Sequence, residues 1–163
     1  MNIRKATLDD ARAISGIYNH YVENTAIALE AEPITEVEAK QRIGDIINSG
    51  HLIYVGELGG KIIGFCHTQN WQNRSAYKAT AEESIFLDRE ETGKGYGAQL
   101  LGHLLKNMDK DNVHTLIASI CISNENSIRL HEKFGFKQVS HLKEVGRKFG
   151  HWHDVGHWQL IFN

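Results

Sequence analysis

The chain has 163 residues, 41% apolar and 23% charged, with a single proline and a formal net charge of −2. This is the composition of one domain, residues 1–163, with an ordinary core; no basic block offers a footprint for nucleic acid or an anionic membrane surface. No apolar run reaches bilayer length, the N-terminus lacks a leader-like apolar stretch, and Cys66 and Cys121 lack metal-type spacing, so a reduced, cytoplasmic protein acting on small molecules is expected.

Ile3 to Ala6 reads as a first strand. Thr7 with Asp9 and Asp10 caps a helix carrying Ala11, Ile14, Ile17 and Tyr18, expected to fade near Asn19 and His20. Pro33 and Thr35 restart a helix through Ile43, Ile46 and Ile47 that Gly50 ends. Leu52 to Leu58 and Lys61 to Thr68 then flank Gly59-Gly60 as a hairpin. Gln69 to Lys78 is a polar and aromatic loop placed to border a substrate, and Thr80 to Leu87 is a strand. A glycine loop follows, then a helix from Ala98 with Leu100, Leu101, Leu104 and Leu105 in helical period. Thr115 to Ile122 is the next strand, and Ser127 to Phe134 a helix closed by Gly135. Strands near Lys137 to Glu144 and His153 to Ile161 complete a mixed sheet, with Trp158, Leu160 and Phe162 alternating as core or dimer surface.

The glycine loop carries the first chemical signal. Gly93, Gly95 and Gly97 stand between a strand and a helix, where backbone free of Cβ atoms can aim successive N–H groups at one point. The helix N-terminus adds partial positive charge, so the natural guest is a phosphate or pyrophosphate. A triphosphate loop would need Lys and then Ser or Thr after the last glycine; here Lys94 lies between glycines and Gly97 is followed by Ala98-Gln99. A dinucleotide fold would need G-x-G-x-x-G, whereas this loop reads G-x-G-x-G. One strand upstream, the acidic pair Glu82-Glu83 offers a candidate proton acceptor; the two point to opposite faces because side chains alternate, and Glu83 ranks second as a solvated or structural carboxylate. His151, His153 and His157 have no carboxylate or cysteine at metal-site spacing, so no metal is expected.

These segments together resemble the GCN5-related N-acetyltransferases (GNAT), over essentially the whole chain. The glycine loop is similar to that family's acetyl-CoA pyrophosphate loop, and Asn124 with Ser127, His131, Gly135 and Phe136 to its second cofactor segment. More narrowly, Ile17-Tyr18-Asn19, Glu32-Pro33, Ala76-Tyr77, Thr80-Ala81-Glu82, Leu130-His131-Glu132 and Trp152-His153-Asp154-Val155 resemble the phosphinothricin N-acetyltransferase group, some of whose relatives act on methionine sulfone or sulfoximine. Thr92 stands where the family loop usually carries Gln or Arg, which shifts weight to backbone N–H groups and Lys94. His131 replaces the broad family's Tyr, a substitution shared by the narrower group.

The resemblance implies an α/β fold: a mixed seven-stranded sheet flanked by about four helices, with parallel fourth and fifth strands splayed around pantetheine. It implies acetyl-CoA as co-substrate, no metal, a small amine as partner and a homodimer. Ile85, Phe86, Leu87, Thr92, Gly93, Lys94, Gly95, Tyr96, Gly97, Ala98, Asn124 and Ser127 would hold the cofactor. Glu82 would take the ammonium proton, and His131 would protonate the thiolate or orient the substrate. Arg74, Ser75, Tyr77, Lys78, Lys148 and Trp152 would shape the acceptor pocket, Arg74 by clamping a carboxylate or phosphinate. A non-catalytic acyl-CoA sensor, and an acetyltransferase for a peptide N-terminus or polyamine, stay open as alternatives.

Overall fold

The computed structural model describes residues 1–163. In chain order it contains β1 (Asn2–Lys5), α1 (Ala11–Asn24), α2 (Glu36–Asn48), β2 (Ile53–Leu58), β3 (Lys61–Asn70), β4 (Thr80–Leu87), α3 (Tyr96–Lys106), β5 (Thr115–Cys121), α4 (Glu125–Lys133), β6 (Lys137–Lys148) and β7 (His151–Ile161). The seven strands form one sheet in the order β1-β2-β3-β4-β5-β7-β6, as the mixed-sheet reading expects. Every neighbouring pair is antiparallel except β4 and β5.

Strand alternation sorts the core onto the two faces of the sheet. Ile53, Val55 and Phe65 meet Ala11, Ile14, Ile17 and Ile43 of α1 and α2 on one side. Their neighbours Tyr54 and Cys66 turn to the other, where Leu100, Leu101 and Leu104 of α3 pack with Leu116, Ala118, Phe136 and Trp158. α2 begins where expected because Thr35 forms a capping box: its hydroxyl accepts from Glu38 N at 3.1 Å, and its own N–H donates to Glu38 Oε2 at 2.6 Å.

Several boundaries differ from the sequence expectation. α1 does not fade at Asn19 and His20 but runs to Asn24. The Asn19 amide is satisfied elsewhere, donating to Ile34 O and accepting from Ile34 N, both at 2.8 Å, while buried Val22 anchors the added turn. α3 starts at Tyr96, capped by Gly95 in the left-handed region, two residues before Ala98. α4 starts at Glu125 because Asn124 Oδ1 caps it, accepting from Ser127 N at 3.3 Å. β6 and β7 form a longer hairpin than expected. A register shift between Leu142 and Gly146, with Glu144 at φ +53° and its N–H held by Asp154 Oδ1, lets pairing continue to Lys148 and His151. Phe149 and Gly150, both at positive φ, make the turn.

β4 and β5 pair only from Thr80 opposite Thr115 to Glu83 opposite Ala118. Beyond that rung β4 stays with β3 through Leu87, and β5 stays with β7 through Cys121. The sheet therefore opens along Ser84–Leu87, the parting of strands four and five that the resemblance implies.

Candidate active site

Ser84 to Leu87 of β4 are laddered to β3 on one side only, so their other backbone edge faces the gap. The edge is closed at its far end, where Tyr21 Oη donates to Leu87 O at 2.5 Å. Alongside lies a cleft of about 520 Å³ lined by Ile85, Phe86, Leu87, Gly95, Asn124 and Ser127, with Gly93, Gly97, Ala98 and Thr92 continuing it. Gly93 and Gly95 have φ of +74° and +86°, where a side chain would be strained, and together they turn the loop onto the N-terminus of α3. Gly97 serves packing: a Cβ there would come within 3.3 Å of Leu130 on α4.

Not every expected cofactor residue reaches the cleft. Lys94 turns to Glu91, with Nζ to Oε2 at 3.0 Å, and Tyr96 lies outside the lining. Thr92 lines the cleft, but its hydroxyl donates to Arg89 O at 3.0 Å. The cations that line it are Arg89, Arg129 and Lys133, none of them anticipated; nor were Tyr21 and Ile27. Arg89 follows the strand as one charged residue among several, which gave no signal. These residues fit a pyrophosphate-bearing thioester: glycine N–H groups at a helix N-terminus, cations around them and a free strand edge for an extended amide chain.

On the α1 and α2 face, a second cavity of about 720 Å³ contains Glu82, Gln69, His67, His51, Arg42 and Tyr18. Its floor is set by register: Gln69 lies opposite Glu82, His67 opposite Ser84 and Phe65 opposite Phe86. Glu82 Oε1 accepts from Gln69 Nε2 at 3.3 Å and Oε2 from Ser119 Oγ at 3.2 Å. Burial pushes the Glu82 carboxyl above its ordinary range, only partly offset by those two hydrogen bonds and by nearby His157. Burial likewise holds His67 below the ordinary imidazole range, and its Nδ1 has no partner. Tyr18, read from the sequence as helix core, is pushed up to about 12, chiefly by burial and by Glu30.

Glu83 corrects the solvated alternative: it is 3% exposed on the α3 and α4 face, and its carboxylate meets His131 Nε2. His131, 1% exposed, lies in the small cavity between the parted strands rather than in the cavity holding Glu82. Arg74, Ser75, Tyr77 and Lys78 lie on an exposed 3-10 turn and its flanks, with Tyr77 edge-on to Trp71, outside that cavity's lining. Lys148 is buried and donates to Ala28 O at 2.6 Å; Trp152 is 56% exposed beneath the Arg147 guanidinium. The late histidines are dispersed, His153 to Lys148 O and His157 to Ser140 Oγ, and no group of three metal-ligating side chains gathers.

A sheet that opens between two parallel strands, beside a glycine loop at a helix N-terminus and a carboxylate in an adjoining cavity, defines an acyl-CoA-dependent transferase. Residues 3–157 match the acetyltransferase (GNAT) domain. The chain is 34% identical to phosphinothricin N-acetyltransferase of Streptomyces viridochromogenes over 99% of its length and 88% of that protein. It is 30% identical to the L-methionine sulfoximine/L-methionine sulfone acetyltransferase of Pseudomonas aeruginosa, covering 98% of this chain and 93% of the relative. Its fold matches a phosphinothricin acetyltransferase from Sinorhizobium meliloti in complex with acetyl-CoA, with TM-score 0.95 and 32% identity, covering 99% and 88% of the two chains. The protein belongs to the GNAT family; it is an N-acetyltransferase, and acetyl-CoA is its acyl donor.

Proposed function

We propose that this enzyme acetylates the amino group of a small amino-acid-like acceptor of the phosphinothricin, methionine sulfoximine or methionine sulfone type, by direct transfer, with Glu82 as general base. The observation that carries the reading is the placement of Glu82. It sits one residue before the rung where β4 and β5 part, in a cavity large enough for an amino acid and adjoining the free strand edge. Its raised carboxyl matches the demand on a base that must take a proton from an ammonium group near neutral pH. Names of relatives acting on phosphinothricin and on methionine derivatives support the acceptor class.

In this mechanism Glu82, held by Gln69 and Ser119, removes the ammonium proton directly or through water. A backbone N–H of the free Ile85–Leu87 edge donates to the carbonyl oxygen as negative charge develops there. Asn124 and Ser127 border the cleft from the α4 side. The bound donor supplies the activated acetyl group.

Thiol release from acetyl-CoA with L-phosphinothricin, methionine sulfoximine, methionine sulfone, common amino acids, a polyamine and an N-terminal peptide tests the proposal. Saturable release with a methionine-like acceptor is expected. Preference for peptide or polyamine would move the acceptor class, and binding of acetyl-CoA without release on any acceptor would leave an acyl-CoA sensor.

We further propose a homodimer formed through the β6–β7 hairpin. Leu142, Val145, Phe149 and Trp152, 42–59% exposed, cluster on that arm.

A further inference from the structure

The Glu83–His131 pair is buried, and removing two ionisable groups from water costs free energy that their pairing must offset. Both side chains are 1% exposed, and they join α4 to β4 at the last rung before the strands part. The ring's partners dictate its protonation. Nδ1 lies 2.7 Å from Ser127 O, an atom that can only accept, so Nδ1 carries a proton. Nε2 faces the Glu83 carboxyl; with that carboxyl ionised, Nε2 carries a proton too and the ring is an imidazolium. The Nδ1 proton is then directed away from the counter-charge, and Ser127 Oγ stands beside it at 3.3 Å. His131 lines only the cavity of about 40 Å³ between the parted strands, whereas Ser127 lines both that cavity and the cofactor cleft.

We infer that Glu83, His131 and Ser127 form a proton relay that reprotonates the departing thiolate, with Ser127 Oγ as the atom facing the cleft. The inference rests on the acetyltransferase reading and deepens it. The Ser127 O–H bond breaks as an S–H bond forms, and Oγ takes the Nδ1 proton. His131 is left neutral with its remaining proton on Nε2, held by the Glu83 carboxylate. Solvent returns one proton after product leaves, and nothing is oxidised or reduced. Glu83 acts only through His131 and is a positioning residue.

The electrostatics agree with this geometry. Burial alone would lower the His131 pKa, but the charge and hydrogen bond of Glu83 outweigh it and the net shift is upward. On the pair's own face the other ionisable groups are Cys66 from β3 and Cys121 from β5; His67 and Glu82 lie on the opposite face of the sheet and act on Glu83 only through their charge. α3 faces this core with Leu100, Leu101 and Leu104, and Phe136 packs edge-on against the imidazole. Glu132, next on α4, is engaged by the Trp158 indole at 3.3 Å.

Ser127→Ala should lower kcat by about 10- to 100-fold, a larger effect than any on the KM for acetyl-CoA, whose cleft Ser127 also lines, and Ser127→Thr, which keeps a hydroxyl, should recover much of the loss in kcat. Glu83→Gln keeps the shape but not the charge, so the fall of kcat at alkaline pH should begin at lower pH than in the wild type. Ring ¹⁵N shifts of His131 in the ligand-free wild type should show both nitrogens protonated near neutral pH, which requires no variant to fold. A singly protonated ring, a Ser127→Ala enzyme with wild-type kcat at every pH, or an acetyl adduct on Ser127 would each overturn the relay. Absence of thiol release by the wild type with every acceptor would remove the acetyltransferase reading and the relay with it. Release unchanged by Ser127→Ala would remove the relay alone.

Discussion

Glu82 and Glu83 share a peptide bond, yet strand alternation sends one into a solvent-connected cavity and the other into a core beside an imidazole. Their pH behaviour should differ accordingly. A general base works only when deprotonated, so activity should be low in acid and rise as Glu82 loses its proton, with a midpoint above the ordinary carboxylate range because burial has raised it. The pH profile of kcat/KM measures that midpoint. Glu82→Gln should lower kcat by about 10²- to 10⁴-fold and abolish the acid limb, while equilibrium binding of acetyl-CoA is retained. Full turnover by this variant across the pH range would reassign the base.

Among the elements, the segment between α1 and α2 links the cleft to the rest of the fold. Ile27 lines the cofactor cleft and the small cavity, and the next residue, Ala28, accepts the buried Lys148 ammonium at the end of β6. Lys148→Met keeps the apolar stem but removes the donor. It should destabilise the protein by about 1.5–3 kcal/mol, read from urea unfolding, and raise the KM for acetyl-CoA as Ile27 loosens. A cap is a smaller matter: Thr35→Ala should cost about 1 kcal/mol in the same measurement and leave kcat unchanged, since the capping box lies at the exposed start of α2.

At the scale of the molecule, the proposed homodimer would cover the exposed Leu142, Val145, Phe149 and Trp152 of the β6–β7 arm. Trp152→Glu should shift sedimentation at micromolar concentration from dimer towards monomer, and a wild type that sediments as a monomer there would dispose of the homodimer. The sheet, its seven strands and the glycine loop were legible because period-two alternation and turn glycines are local signals. The cavity around Glu82 was not, since Tyr18, Arg42, His51 and His67 come from four separate elements or loops and meet only through packing. The length of the last hairpin was also hidden: Glu144 and Phe149 adopt positive φ without being glycine, and the Asp154 carboxylate that holds the Glu144 N–H comes from the facing strand.

The parted strands also bear on how the protein keeps to itself. An unpaired strand edge on a protein's margin invites sideways pairing with another chain, and natural sheets blunt such edges with charge, proline or a covering element. Here the free edge of Ser84–Leu87 lies inside the sheet, between β3 and the departing β5, and the Tyr21 hydroxyl occupies its last carbonyl. A slender chain can slide in lengthwise, but a neighbouring protein's strand has no lateral approach. The hydrogen-bonding capacity needed to grip a ligand is thus kept without the aggregation hazard that an exposed edge would bring.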